Sequence, residues 1–308
     1  LMSDHRILLI ENPARLSVHL GRLCISREGY EDVHVLPKDI AVLCLHHHTI
    51  QMSVHVLRVL AEAGASVIVT DAKHHPCASI YPWANHGDSV RRLRYQMALD
   101  ASPRRALVWQ EIVQARLRTQ AANLRHFGRK GGLRLERLAK AVLPDDANKC
   151  EGIGARHYWR CLLPAGFQRA KQGAEDPLNA RLNYGYAVLR SMVARALVQA
   201  GLHPALGLGH RNMENPFNLA DDFIEPYRFV VERHVIEQED FGEFDGAARK
   251  RILGFVEFPV RMGKATYRLP AAVTETVASY VRLLERPGER LVLPENVAPL
   301  DRGEERWA

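Results

Sequence analysis

Ser66-Val67-Ile68-Val69-Thr70 and Ser89-Val90-Arg91-Arg92-Leu93-Arg94-Tyr95-Gln96-Met97-Ala98-Leu99 flank the point where the character of the chain changes. The first is a short β-branched run of the kind that forms strands. The second carries Val90, Leu93, Met97 and Leu99 at helical spacing. Between them, Pro76 to Asp88 includes Pro82 and Gly87 and shows no period, which reads as a linker. Asp88 and Ser89 offer a cap for the helix that follows. The boundary is placed near residue 85.

Upstream, Ile7-Leu8-Leu9-Ile10, Leu16 to Leu20, Leu23-Cys24-Ile25, Val33-His34-Val35 and Ile40 to Leu45 are short apolar or alternating runs separated by turn residues. They predict an antiparallel, sandwich-like sheet. Ile50, Val54, Leu57 and Ala61 interrupt it with one helix, for which Gly64 is the C′ residue. Downstream, helical spacing recurs in Leu107 to Leu117, Leu133 to Val142 and Leu182 to Ala200, the last ending at Gly201. The expected fold class is α+β, with a β-rich, sandwich-like domain over residues 1–85, a larger all-helical domain over 86–290 and a loosely ordered tail over 291–308.

The chain has 308 residues, enough for one large or two ordinary domains, and no long uncharged apolar run for a membrane helix. Leu1 to Arg6 lack the apolar core of a signal peptide, Leu1 ahead of Met2 reads as an added remnant, and a cytoplasmic location is expected. Lys and Arg number 42 against 35 Asp and Glu, a net +7 that favours a polyanionic partner. Much of the surplus lies between Arg91 and Arg137, either as a solvated helix face or as a nucleic-acid contact. Five scattered cysteines without CxxC spacing argue against a disulfide framework and a thiolate zinc site, and read mostly as buried thiols. His46-His47-His48 and His74-His75 read as solvated or structural, because consecutive strand residues point to opposite faces.

The chemistry is expected in Gly207-Leu208-Gly209-His210 and in Asn218-Leu219-Ala220-Asp221-Asp222-Phe223-Ile224-Glu225-Pro226-Tyr227-Arg228. Asp221 and Glu225 stand at i, i+4, and Asp222 and Glu225 at i, i+3, so on a helix their carboxylates are neighbours and repel unless a cation relieves them. A divalent metal site and a solvated acidic face both remain open. Asn218 is placed as the cap, and Pro226, which cannot donate to the Asp222 carbonyl, predicts a kink. Glu151 lies after the breaker Pro144-Asp145-Asp146-Ala147 and among Gly152, Gly154 and Ala155, small residues that let its helix approach another. Asn179 and Asn183 share a face of the helix after Pro177, and Gly185 implies close packing there.

In this order, Glu151, the segment Asp176-Pro177-Leu178-Asn179-Ala180-Arg181-Leu182-Asn183-Tyr184-Gly185-Tyr186, the glycine-flanked His210 and Asn218 through Arg228 resemble the CRISPR-associated adaptation endonuclease/integrase family, the Cas protein numbered one. The form accompanying single-effector (type II) systems is the nearest likeness. The resemblance implies a catalytic metal, Mg²⁺ or Mn²⁺, on Glu151, His210 and Glu225. Asp222 is a second candidate ligand, and Asp221, Asn179 and Asn183 are supporting groups. It implies attack of a 3′-hydroxyl of a short captured double-stranded DNA on the repeat end of a CRISPR array, with nicking as the same chemistry using water. The β-rich part would be a homodimerisation domain and the helical part the catalytic domain. Two dimers would flank a dimer of a small ferredoxin-like Cas partner, numbered two, in a heterohexamer. Arg91, Arg92 and Arg94 would bind duplex phosphates, and Arg156, Arg160, Arg169 and Lys171 the strand end. Tyr184, Tyr186 and Trp159 are either base-stacking groups or core. The competing readings are a non-catalytic double-stranded DNA-binding scaffold and a helical nucleotide-signalling enzyme, for which no phosphate-cradling glycine loop is present.

Overall fold

Six consecutive apolar residues, Ile40-Ala41-Val42-Leu43-Cys44-Leu45, form a strand buried on both faces, and the first sheet is built on it. The computed structural model describes residues 6–71, 76–82, 87–163, 166–170, 176–239, 242–286 and 288–297. Its first part contains β1 (Arg6–Ile10), β2 (Arg15–His19), β3 (Arg22–Ser26), β4 (Val33–Val35), β5 (Ile40–Leu45), β6 (Gln51–Met52), α1 (Val54–Glu62), β7 (Ser66–Thr70) and β8 (Pro76–Ile80). One sheet has the order β1-β5-β7-β8 and the other β4-β3-β2-β6. The β-rich first part is therefore as expected, but its pairing is not purely antiparallel. β5 lies parallel to both β1 and β7, with α1 as the crossover to β7. An uninterrupted apolar run, rather than an alternating one, is the mark of such a doubly covered parallel strand. Gly64 follows α1 with φ +75°, the left-handed C′ position.

Three further expectations need correction. The stretch read as linker begins with β8, an edge strand antiparallel to β7. Its residues 77–80 are all exposed, so no alternation marked it, and Pro76 opens it where no ladder donor is needed. His74 and His75 lie outside the described residues.

The second part contains α2 (Ser89–Asp100), α3 (Arg104–His126), α4 (Gly132–Ala141), α5 (Cys150–Leu162), α6 (Pro177–Gln199), α7 (Asn218–Ile224), α8 (Arg228–Glu237), α9 (Gly246–Ile252), β9 (Pro259–Met262), β10 (Ala265–Arg268), α10 (Leu269–Glu285) and β11 (Asn296–Val297). It is helical apart from the small sheet β10-β9-β11, which the all-helical expectation missed. The tail is also more ordered than expected up to residue 297. The Ser279 hydroxyl accepts from the Val292 N–H at 2.9 Å, and β11 pairs with β9. Residues 298–308 lie outside the described residues.

The sheet and the helices share one core. Ala41, Val42, Cys44 and Ile68 belong to the same apolar cluster as Val188, Leu189, Phe223 and Phe255. The opposite face of the first sheet packs Leu43, Leu45 and Val67 against Leu16, Leu23, Val56 and Leu60. α6 runs through the middle, and even its Arg181 is fully buried, donating to the Pro177, Gly242 and Glu243 carbonyls. Gly185 is where α8 crosses α6: a Cβ there would lie 2.4 Å from Val231 Cγ1. Gly185→Ala gains about 1 kcal/mol of helix propensity, but the overpacking against a stiff buried valine costs about 1–3 kcal/mol. Denaturant unfolding is expected to show a net loss of stability, and a more stable variant would contradict this packing.

Candidate active site

Glu151 sits in the first turn of α5, held by the turn before it. Asp145, Asp146 and Lys149 all take left-handed backbone angles, with φ +61°, +49° and +56°. The Asp146 carboxylate accepts the N–H groups of Cys150 at 2.8 Å and Glu151 at 3.2 Å, so the breaker also caps the helix. Gly154 brings α5 against α3, since a Cβ there would lie 2.1 Å from Leu117 Cδ2.

Glu225 comes from a different quarter. Pro226 ends α7 at Ile224, and Glu225 begins a single 3₁₀ turn ahead of α8. The carboxylate is 3% exposed and receives two arginines: Arg116 Nη1 at 2.7 Å and Arg228 Nε at 2.8 Å, both on Oε2. The same Arg116 nitrogen also contacts Glu151 Oε1. One guanidinium nitrogen is thus shared by two carboxylates from α5 and the 225–227 turn. Arg228 is stacked over the Tyr186 ring, 4.5 Å from its centroid.

His210 is held by Asp222. The Asp222 carboxylate, with no exposed surface, accepts the backbone N–H groups of Leu208, Gly209 (3.1 Å) and His210 (2.9 Å), and also His210 Nδ1 at 2.8 Å. With Nδ1 donating, Nε2 is the lone-pair nitrogen of the neutral ring. The flanking glycines are needed for the close approach: a Cβ on Gly209 would lie 2.2 Å from Trp109, and one on Gly207 2.1 Å from the His210 carbonyl. Trp109 meets the imidazole edge to face, with centroids 5.9 Å apart. Arg105 donates to the Leu208 carbonyl and, at 2.9 Å, to Asp145, tying the histidine loop to the turn before α5.

The remaining predicted residues fall in several places. Asp222, weighed as an alternative metal ligand, has both oxygens engaged by the His210 loop; the Glu225 N–H still donates to the Asp222 carbonyl, and Pro226 breaks the helix only after Glu225. Asp221 pairs with Arg190 at 2.7 Å and accepts from Asn215 at 2.7 Å. Asn218 does not cap: it is the first residue of α7 and donates to the Ala205 and Asn212 carbonyls. Asn179 and Asn183 hold Arg169, accepting from it at 2.8 and 2.5 Å. Arg94, Arg156 and Arg160 are exposed. Arg91 forms surface pairs with Asp88 and Glu285. Arg92 is largely covered and donates to the Ala200 carbonyl at 2.6 Å, a tie between helix ends that counts against a phosphate contact. Lys171 lies outside the described residues. Tyr184 and Tyr186 are core: their hydroxyls meet His46 at 3.1 Å and Glu232 at 2.7 Å. His46 is thus a structural histidine, as expected.

The electrostatics follow from this packing. Burial pushes the Glu151 carboxyl up, opposed by Arg116. Burial acts the same way on Glu225, but Arg116 and Arg228 outweigh it and hold that carboxyl below the usual range. The bond to Asp222 raises the His210 imidazole against its own burial. A divalent ion fits the chemistry of this donor set: two carboxylates that already share a cation, and an imidazole oriented through its other nitrogen. Among the described residues, three such side chains bring ligand atoms within 4.8 Å of one another only at Cys24, Asp32 and His34, so Glu151, His210 and Glu225 stand further apart here, with Arg116 between the carboxylates.

Comparison with known proteins gives the family. The family model described as "CRISPR associated protein Cas1" matches residues 7–244. The CRISPR-associated endonuclease Cas1 of Neisseria meningitidis serogroup C (strain 8013) is 33% identical over 302 residues, covering 96% of this chain and 97% of that protein. Among solved structures, a casposase bound to its integration product superposes with a TM-score of 0.78 at 17% identity, covering 92% of each chain. A chain of a Cas6-RT-Cas1–Cas2 complex does so with 0.74 at 19% identity, covering 95% of this chain and 36% of that one. These two likenesses concern the fold.

Arg116 gives the site its own test. Arg116→Met leaves buried Glu225 with Arg228 alone and sets Glu151 near it uncompensated, an expected loss of about 3 kcal/mol. If Mn²⁺ binds between the two carboxylates it supplies the missing cation, and its addition then restores stability more in the variant than in the parent, measured as the shift of the denaturant midpoint. Equal shifts in the two proteins would contradict the shared-cation geometry.

Proposed function

Because the chain belongs to the Cas1 family, we propose that it is a metal-dependent DNA endonuclease and integrase that joins short double-stranded DNA to the repeat of a CRISPR array. The observation that carries the proposal is the single cation shared by Glu151 and Glu225 beside an imidazole that Asp222 orients. Glu151, Glu225 and His210 Nε2 would hold Mg²⁺ or Mn²⁺. When bound, the ion supplies Lewis-acid polarisation of the scissile phosphodiester.

The chain's own residues do the rest. Asp222 holds the imidazole in the tautomer that leaves Nε2 unprotonated. Arg116 and Arg228 keep Glu225 ionised and add positive charge where the phosphate arrives. Arg105 and the Asp145–Asp146 turn fix the histidine loop and the start of α5 relative to each other. Arg156 and Arg160, exposed on the helix that carries Glu151, contact strand phosphates, and the nearby Arg169, locked by Asn179 and Asn183, borders the same region. A DNA 3′-hydroxyl as nucleophile gives joining, and water gives nicking.

The partners follow from the family. We infer a homodimer through residues 1–85, a catalytic part over 86–290 and a heterohexamer with the small Cas2 partner; the likeness to a chain of a Cas6-RT-Cas1–Cas2 complex supports the Cas2 partner alone. Among the described residues no helix is long and apolar enough to cross a membrane. A cytoplasmic location suits a protein whose target is a chromosomal array.

The test is an integration assay with supercoiled target, with and without the small partner. Joining is expected with Mg²⁺ or Mn²⁺ and not with chelator, and Glu151→Ala or His210→Ala lowers it more than about a hundredfold. Duplex binding in chelator with no joining under any metal would favour the scaffold reading. pH gives an independent check. Asp222 raises the His210 pKa, and only the neutral imidazole binds metal, so activity rises as pH passes upward through that pKa. Asp222→Asn removes the stabilising charge, and the acid limb should move to lower pH while the maximal rate falls about 10–100-fold. An unmoved limb would separate His210 from the metal.

A further inference from the structure

We propose that Cys24, Asp32 and His34 form a zinc site on the outer face of the second sheet, distinct from the Glu151 and Glu225 centre. Cys24 on β3 and His34 on β4 are directly opposite partners in the antiparallel ladder, and Asp32, two residues before His34, falls on the same face. Ligand atoms of the three side chains all lie within 4.8 Å of one another.

The thiol is in an unusual position. The core-facing residues of these strands are Leu16, Leu23 and Val35, which have the opposite parity. Cys24 is 4% exposed yet belongs to neither apolar cluster. Polar neighbours cover it instead: its Sγ donates to Asp32 Oδ2 at 3.4 Å and meets Ser26 Oγ at 3.6 Å. Zinc bonds of roughly 2.0 Å to oxygen and nitrogen and 2.3 Å to sulfur put tetrahedral ligand pairs about 3.3–3.6 Å apart. The sulfur–carboxylate distance is already in that range, so small side-chain rotations suffice for binding.

One thiolate, one imidazole and one carboxylate select zinc over the hard ions that suit Glu151 and Glu225. On binding, the Cys24 thiol proton passes to solvent, and the fourth position is left to water. Joining the β3–β4 hairpin through its outer face, the ion would staple the edge of the sheet. Spacing rules based on CxxC do not find such a site, because its ligands come from two adjacent strands.

Cobalt is the probe, since a cobalt–thiolate bond gives a near-ultraviolet charge-transfer band that oxygen and nitrogen ligands do not. The full-length protein is expected to show this band, to lose it on adding one equivalent of zinc, and to lack it in Cys24→Ser. His34 is exposed, so His34→Ala leaves the fold intact, and it should weaken cobalt binding about tenfold or more. No thiolate band in the parent, a band of equal strength in Cys24→Ser, or undiminished affinity in His34→Ala would overturn the proposal.

Discussion

Two carboxylates drawn from separate elements share one guanidinium nitrogen, and much of the helical region is arranged to make that contact possible. Arg116 lies on α3, Glu151 at the start of α5, and Glu225 in the break between α7 and α8. Burying Glu225 at 3% exposure without a cation would cost several kcal/mol. The positive charge is therefore a requirement of folding before it is a feature of catalysis. A pair of carboxylates that demands a cation in order to be buried is suited to accept a divalent one.

The supports around this pair are layered in the same way. Asp222 spends its carboxylate on three backbone N–H groups and the histidine, so the His210 loop is set by hydrogen bonds to a charged group. Arg105 links that loop to the Asp145–Asp146 turn, which in turn caps the helix of Glu151. Glu232, buried between the hydroxyls of Tyr158 and Tyr186, anchors the floor on which Arg228 stacks. Burial pushes the Glu232 carboxyl up.

Much of this could be read in the sequence where the signal was local. The strands, the long helices, the cap after Pro144, the kink at Pro226 and the tight crossing at Gly185 all follow from spacing or backbone restriction. What failed lay where no local signal existed. Asp222 and Glu225 do stand one turn apart, but spacing does not show that the His210 loop takes both Asp222 oxygens. β8 escaped because all of residues 77–80 face solvent, and the parallel pairing of β5 was masked by reading short strands as hairpins. Arg116 was visible only as one of many arginines. It lies 35 residues from Glu151 and 109 from Glu225, beyond any spacing rule.

A divalent ion held at this site would take the place Arg116 occupies between Glu151 and Glu225. Crystals soaked in Mn²⁺ and measured at the manganese absorption edge test it most directly. The expected result is an anomalous peak about 2.1 Å from Glu151, Glu225 and His210 Nε2, with the Arg116 guanidinium displaced toward one carboxylate and His210 Nδ1 still on Asp222. A protein that joins DNA in the presence of Mn²⁺ yet binds the ion at Asp222, or leaves Arg116 bridging both glutamates with no peak beside them, would contradict it.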